Sequence, residues 1–395
     1  MKNNDLLMSQ NQSNNKPLRP MRRNNKMVYM YSKQTEMFGL EELSDVLKYI
    51  NSISRSHALP LVPIIINLGE IEFEDKLTYI LFECLCYSII TKGQRNLKVY
   101  FKYKPNIFSE GIVYAPINKL VARTPDISDF LKRFNFDINR THFRRVIKSD
   151  SSDIYFLSKL MTDIDIFLKN CDIEKECRQE ISEVVSELVG NAREHAGSDC
   201  LVDLDITEKS YIDRREPESN DVYGGINIVV VNFSNYGIGE GISKKISALH
   251  NKSPMNLPRY QTVLEAKQNH ERFFDENYTL DDFYILTSFQ HQISGRIDNS
   301  DTGGTGLTTL IKALEERSAD SMCYMLSGNR QVVFTKEYLA HDEHKWVGFN
   351  SNGNYLNSPP EKDCFSKSPI IMPGTAYNLN FVLKREESNE STNNE

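Results

Sequence analysis

Glu187-Leu-Val-Gly-Asn191-Ala-Arg-Glu-His195-Ala196 sets a carboxylate, a carboxamide and an imidazole at steps of four residues. On a helix, residues at i, i+4 and i+8 lie along one face. The other face reads Ile181, Val184, Val185, Leu188, Val189, Ala192 and Ala196, an apolar stripe that a core would bury. The spacing predicts a packed helix with one polar row. That row has the chemistry to hold a metal-bound nucleotide and activate a water. Taken alone, it equally fits an ordinary helix with Glu and Asn turned to solvent.

Downstream lie two glycine-rich segments. Asn235-Tyr-Gly237-Ile-Gly239-Glu-Gly241 follows the alternating run Gly225 to Val231. Ser300-Asp-Thr-Gly303-Gly304-Thr305-Gly306-Leu307 opens a helix over Leu307 to Ser318. Bare backbone N–H groups at a helix N-terminus make a phosphate cradle. No Lys follows the glycines, so this is not a Walker A loop. Ser327-Gly328-Asn329 and Pro373-Gly374-Thr375 flank short strands near the end.

In this order the four segments, over residues 153–384, resemble the GHKL ATPase superfamily, with DNA gyrase B, MutL, sensor histidine kinases and anti-sigma serine kinases among its members. The resemblance implies a two-layer α/β sandwich of the Bergerat type. It implies that Asn191 holds Mg²⁺ through its side-chain oxygen, which suits a hard cation. Glu187 would be the general base toward water, and His195 would lie near the phosphates. In the family pattern Asp-x-Gly-x-Gly, the aspartate accepts a hydrogen bond from adenine. Here Asn235 takes its place beside Gly237 and Gly239, which leaves a neutral acceptor and binding weaker by about 1 kcal/mol. Gly303, Gly304, Thr305, Gly306 and Leu307 would cradle phosphates, and the Thr375 hydroxyl would sit near the base-reading residue. Residues 242–302 would form the ATP lid.

Residues 27–116 read as a smaller α/β domain: a strand at Ile64 to Leu68, a helix from Asp75 to Thr91 and a strand from Leu97 to Tyr103, a βαβ order. The run IIINLGEIEF, then a helix, then LKVYF, resembles the STAS-like domains of anti-anti-sigma factors, and a sensing or interaction role with a protein partner is expected. Residues 117–152 read as a connector, with Arg140, Arg144 and Arg145 as a solvated basic face. Residues 1–26, basic and poor in apolar side chains, and 385–395 read as disordered tails.

The 395 residues, 39% hydrophobic and 26% charged, suit a soluble two-domain protein. A net charge of −7 gives no case for nucleic acid. Seven cysteines without a C-x-x-C pair point to free thiols in a reducing cytoplasm. No signal peptide or membrane span is expected, because the most apolar window, Ile80 to Thr91, is too short to cross a bilayer.

Three activities fit. One is a slow Mg²⁺-dependent ATPase whose nucleotide state controls conformation, partner binding or a homodimer. The second is a serine/threonine kinase of the anti-sigma type. The third is a nucleotide switch without turnover. An autophosphorylating histidine kinase is disfavoured: before the polar row there are only His57 and His142, neither in a dimerisation helix.

Overall fold

The computed structural model describes residues 18–55, 62–92, 96–104, 106–121, 124–150, 153–212, 222–234, 236–250, 258–293, 306–318 and 322–385. It is a mixed α/β protein. The first unit holds β1 (Met21–Arg23), β2 (Lys26–Ser32), β3 (Met37–Phe38), α1 (Leu40–Arg55), β4 (Ile64–Phe73), α2 (Lys76–Thr91) and β5 (Leu97–Tyr103). Strand β4 is central and pairs in parallel with β2, β3 and β5. The β4-α2-β5 segment is the βαβ unit read from sequence.

The basic segment before residue 27 is not all tail. Strands β1 and β2 form an antiparallel hairpin, with Asn24 and Asn25 both at positive φ in the turn. Asn tolerates the left-handed region better than most residues, and two in succession suit a tight hairpin turn. Residues 1–17 and 386–395, the remainder of the two expected tails save Arg385, lie outside the described residues. Arg385 itself continues the last strand, bridging to Ile173.

The second unit begins inside the stretch read as a connector. After α3 (Ile127–Asn135), β6 (Phe136–Ile138) and β7 (His142–Ile147) form a hairpin, and β7 pairs antiparallel with β8 (Cys200–Ile212). Then come α4 (Phe156–Lys169), α5 (Lys175–Ala196), β9 (Val222–Asn232), α6 (Ile238–His250), α7 (Pro258–His270), α8 (Leu280–Ser288), α9 (Gly306–Arg317), β10 (Tyr324–Val333) and β11 (Phe365–Lys384). Six of the described strands make one antiparallel sheet in the order β10-β11-β9-β8-β7-β6. Among the described residues, no helix is long and apolar enough to cross a membrane.

Both faces of this sheet are covered. Val202, Leu204, Ile228, Val230 and Leu379 face α4, α5 and α9. The alternate residues Leu201, Val229, Val231, Leu326 and Ala376 join a second core with the first unit. Asp203 and Asp205 belong to that second face and are almost fully buried. Lys76, at the start of α2, pairs with both carboxylates. Arg144 from β7 pairs with Asp203 through Nε and with Glu83 of α2 through Nη2 at 2.6 Å. His142 Nε2 lies 3.0 Å from Asp203, and Asn227 Nδ2 donates to Asp205 at 3.0 Å. Arg144 is thus the reverse of a solvated residue. Its strand is covered by the first unit, and its charge is matched there. Burial alone would raise the Asp203 carboxyl, but the Arg144, His142 and Lys76 charges hold it well below the usual range.

The interval read as a lid is in part core. Tyr260, Val263, Phe283 and Phe289 of α7, α8 and the residue after it are buried with the sheet-side helices. They pack on an insertion between β10 and β11: Trp346 stacks on Tyr355 at 5.0 Å, and Arg259 lies 4.0 Å over Trp346. The Gln290 side chain bonds both backbone groups of Val347 at 2.9 Å. His270 Nε2 donates to the Tyr355 carbonyl and Nδ1 pairs with the Tyr278 hydroxyl, both at 2.7 Å. Residues 251–257 and 294–302 of the same interval lie outside the described residues.

Two outcomes follow from these contacts. Arg144→Ala strips buried Glu83 of its counter-charge and removes one of the three basic partners of Asp203, and a loss of about 3–5 kcal/mol is expected in urea unfolding. Burial keeps the His270 imidazole below its ordinary value. The stability gained by holding it neutral is complete above about pH 6.5 and is lost as pH falls below that. The urea midpoint should therefore drop between pH 7.5 and 5.5, and less so in His270→Gln.

Candidate functional site

Helix α5 places the polar row. Its start is fixed where β11 ends: Glu174 N–H donates to Lys384 O at 3.0 Å, and Ile173 bridges Arg385. It stops at Gly197, whose φ of +54° lets its N–H reach back to Arg193 O. Three residues later β8 begins at Cys200, opposite Asn232. The helix therefore spans the sheet, and its last turns arrive where β9 finishes. Ile181, Val184, Val185, Leu188, Val189 and Ala192 are buried against the sheet, as the stripe predicts. Glu187 and Asn191 are half-buried. His195 is in the final turn, and its side chain lies outside the described residues.

The glycine turn sits at the same end of the sheet. Asn235 lies outside the described residues. Ser234 Oγ accepts the Tyr236 N–H and donates to the Tyr236 carbonyl, which folds the chain back after β9. Helix α6 then starts within the glycine segment, and a Cβ on Gly239 would lie 3.2 Å from the backbone nitrogen of Ile285. Ser327 joins three segments: its hydroxyl accepts the Ile238 N–H at 3.1 Å and donates to the Gly374 carbonyl at 3.2 Å. A Cβ on Gly237 would stand 3.1 Å from that same oxygen.

Gly374 has φ of +90°, and a Cβ there would meet the Asn232 side-chain oxygen at 2.5 Å and the Ser234 nitrogen at 2.7 Å. Its neighbour Thr375 pairs with Asn232 across the strands, and their side chains are hydrogen-bonded at 2.5 Å. Asn232 Oδ1 is buried and has no hydrogen-bond partner. The Asn232 Nδ2 meets the Thr375 hydroxyl, and Oδ1 is left over. Residues 373–375 lie within the long strand β11, not ahead of it, and 327–329 lie within β10, where the register shifts twice.

Helix α9 completes the arrangement. Its C-terminal end is tied down by the Arg317–Glu180 pair at 2.5 Å and by the bridge from Ser318 to Phe381. Gly306 stands eleven residues from Arg317, about 16 Å along the axis. Asn191 stands the same number of residues beyond Glu180. Since α9 packs on α5, its N-terminus is carried to the Asn191 end. Leu307 packs half-buried on the core. Gly303, Gly304 and Thr305 lie outside the described residues, immediately before Gly306.

The described parts of the sequence-read segments thus meet at one end of one sheet. The reading from sequence missed Asn232 and gave Ser327 no role. The only signal for Asn232 was a polar residue closing the apolar run Val229–Val231. Among the described residues no group of three or more His, Cys, Asp or Glu side chains could hold a metal. A metal here would need the carboxamide and bound waters or phosphates, as Mg²⁺ accepts. Comparison with family models, curated proteins and solved structures returns no match for this chain.

Gly374→Ala should cost at least about 2 kcal/mol in thermal or urea unfolding, because it adds positive-φ strain to a backbone collision. Gly328→Ala, also at positive φ (+59°) but with open space around its Cβ, should cost about 1 kcal/mol.

Proposed function

We propose that this protein binds ATP with Mg²⁺ at the end of the sheet formed by α5, the 232–239 turn, Ser327, Gly374–Thr375 and the start of α9, and hydrolyses it slowly to control conformation or partner binding. The observation that carries this reading is the convergence of those segments, with Asn232 holding a spare buried polar atom beside Thr375. The resemblance to GHKL ATPases, with their two-layer sandwich, supplies the ligand. The triphosphate would supply the scissile bond and Mg²⁺ the charge that stabilises its leaving group.

This chain's own residues would divide the work as follows. Asn191 would offer its side-chain oxygen to the cation, and Glu187, one turn earlier, would accept the proton of a water. The N–H groups at the start of α9 would face the phosphates. For the base, Asn232 is the better-supported reader than Asn235, because Thr375 touches Asn232. A carboxamide offers both an acceptor and a donor, so it reads a base by hydrogen-bond pattern without charge. The first unit covers the sheet face opposite α5.

Nucleotide titration and phosphate release on purified variants test the assignment. Asn191→Ala should weaken Mg²⁺-dependent ATP binding on the order of 10–100-fold. Glu187→Ala should bind normally and release phosphate on the order of 100-fold more slowly; equal release by both proteins would sink the general-base role. Asn232→Ala should lose preference for adenine over guanine nucleotides, whereas Asn235→Ala should keep it. Radiolabel on a second protein would favour the kinase, and binding without turnover the switch.

A further inference from the structure

Lys76 is the first residue of α2, and its side chain is fully buried. Its Nζ contacts Asp205 Oδ1 and lies 2.7 Å from Asp203 Oδ1. The two carboxylates keep different company. Asp203 turns its other oxygen to Arg144 and His142. Among the described residues, Lys76 is the only cation paired with Asp205. Asp205 Oδ2 instead accepts Asn227 Nδ2 at 3.0 Å, from the residue opposite it on β9. The Tyr79 hydroxyl lies 3.3 Å from Nζ and 3.5 Å from Asp205 Oδ1. A Cβ on Gly111 would overlap the Asp205 carboxylate, so the first unit closes directly over it. Burial pulls the Lys76 ammonium below its ordinary value, against the attraction of Asp203. These are the parts of an acyl-transfer site: an amine beside a carboxyl carbon, a carboxylate on the amine, and an N–H donor on the carboxyl oxygen.

We propose that Lys76 Nζ and the Asp205 side-chain carboxyl condense to an amide, which joins α2 to β8 covalently. The step begins with one proton passing from the ammonium to the Asp205 carboxylate, since a dry site favours the neutral pair over two ions. The free amine attacks Cγ, and Asn227 donates to the oxyanion that forms on Oδ2. Asp203 takes a proton from the nitrogen and passes it to the hydroxyl on Oδ1, which leaves as water. One C–N bond forms and one C–O bond breaks, with no oxidant or reductant. Arg144 and His142 are positioning residues that hold Asp203 ionised with Oδ1 toward Nζ. A carboxylate so held is a poor electrophile, which selects Asp205 as the acyl group. Glu83 does not compete, because it pairs with Arg144 and accepts the Ile117 N–H at 2.8 Å. In water the two ions are well hydrated and do not condense. Here hydration is stripped, and fixed contact is worth an effective concentration on the order of 10⁵ M or more.

Proteolytic digestion of the full chain followed by mass spectrometry tests this directly. The expected product is a joined peptide carrying Lys76 and Asp205, lighter by one water than its two parts. Its yield should rise as the folded protein is incubated. Lys76→Met should abolish the product, and Asp203→Asn should slow its appearance on the order of 100-fold. The wild-type result stands whether or not these variants fold. Denaturing electrophoresis offers a second measurement. The wild-type chain should migrate ahead of the Lys76→Met chain, because a closed loop from 76 to 205 keeps the unfolded coil smaller. Folded wild-type protein that yields no joined peptide after prolonged incubation overturns the proposal. So does loss of a water without a joined peptide, which marks a cyclic imide within one segment. Undiminished formation in Asp203→Asn overturns the proton relay.

Discussion

Two buried carboxylates hold the two units in one molecule. Asp203 and Asp205 sit on the middle of strand β8, where an ordinary surface sheet would turn them to water. Here Lys76, Arg144, His142 and Asn227 take water's place. Desolvating these charges is expensive, and their mutual attraction offsets that cost only in the assembled geometry. The interface is therefore better seen as a register device than as a source of net stability. A first unit displaced along β8 would leave an ion unpaired in a dry core. The apolar residues around it, Leu201, Val229, Val231 and Leu326, supply the burial that favours docking.

That docking decides which face of the sheet is available for chemistry. With α1 and α2 on one side, only the α5 side and the sheet's end remain. The end is where strand β9 stops, α5 stops and β11 bends at Gly374. Loops and helix termini gather there because regular hydrogen bonding has run out, which leaves N–H groups and side-chain amides to recruit a ligand. Ser327 and Asn232 fix the turn from below, so a site there would be positioned by three strands and not by a free loop.

Local signals carried much of the fold. The 3.6-residue stripe of α5, the alternation of β8 and β9 and the βαβ order of the first unit are short-range patterns, and each formed the element it encodes. The Asn24–Asn25 turn was equally local, yet it lay inside a basic run whose composition suggested a tail. The connector reading of 117–152 failed to find β6 and β7 because an edge hairpin of three and six residues has too little periodicity to stand out. The lid reading took 242–302 as a cover, and α7 and α8 pack instead on Trp346 and Tyr355, more than fifty residues away in sequence.

By itself the sequence determined the local features, namely the Glu187–Asn191 polar row opposite an apolar stripe, the glycine segments and the Thr375 hydroxyl, because backbone freedom and donor type are properties of single residues and their spacing. Only the tertiary structure decided their company. It put Asn232 against Thr375, Ser327 against Gly237 and Gly374, and Arg144 between Asp203 and Glu83. Each of these contacts joins residues from separate elements, and a carboxylate or an arginine reads the same in a sequence whether water or a buried counter-charge will meet it.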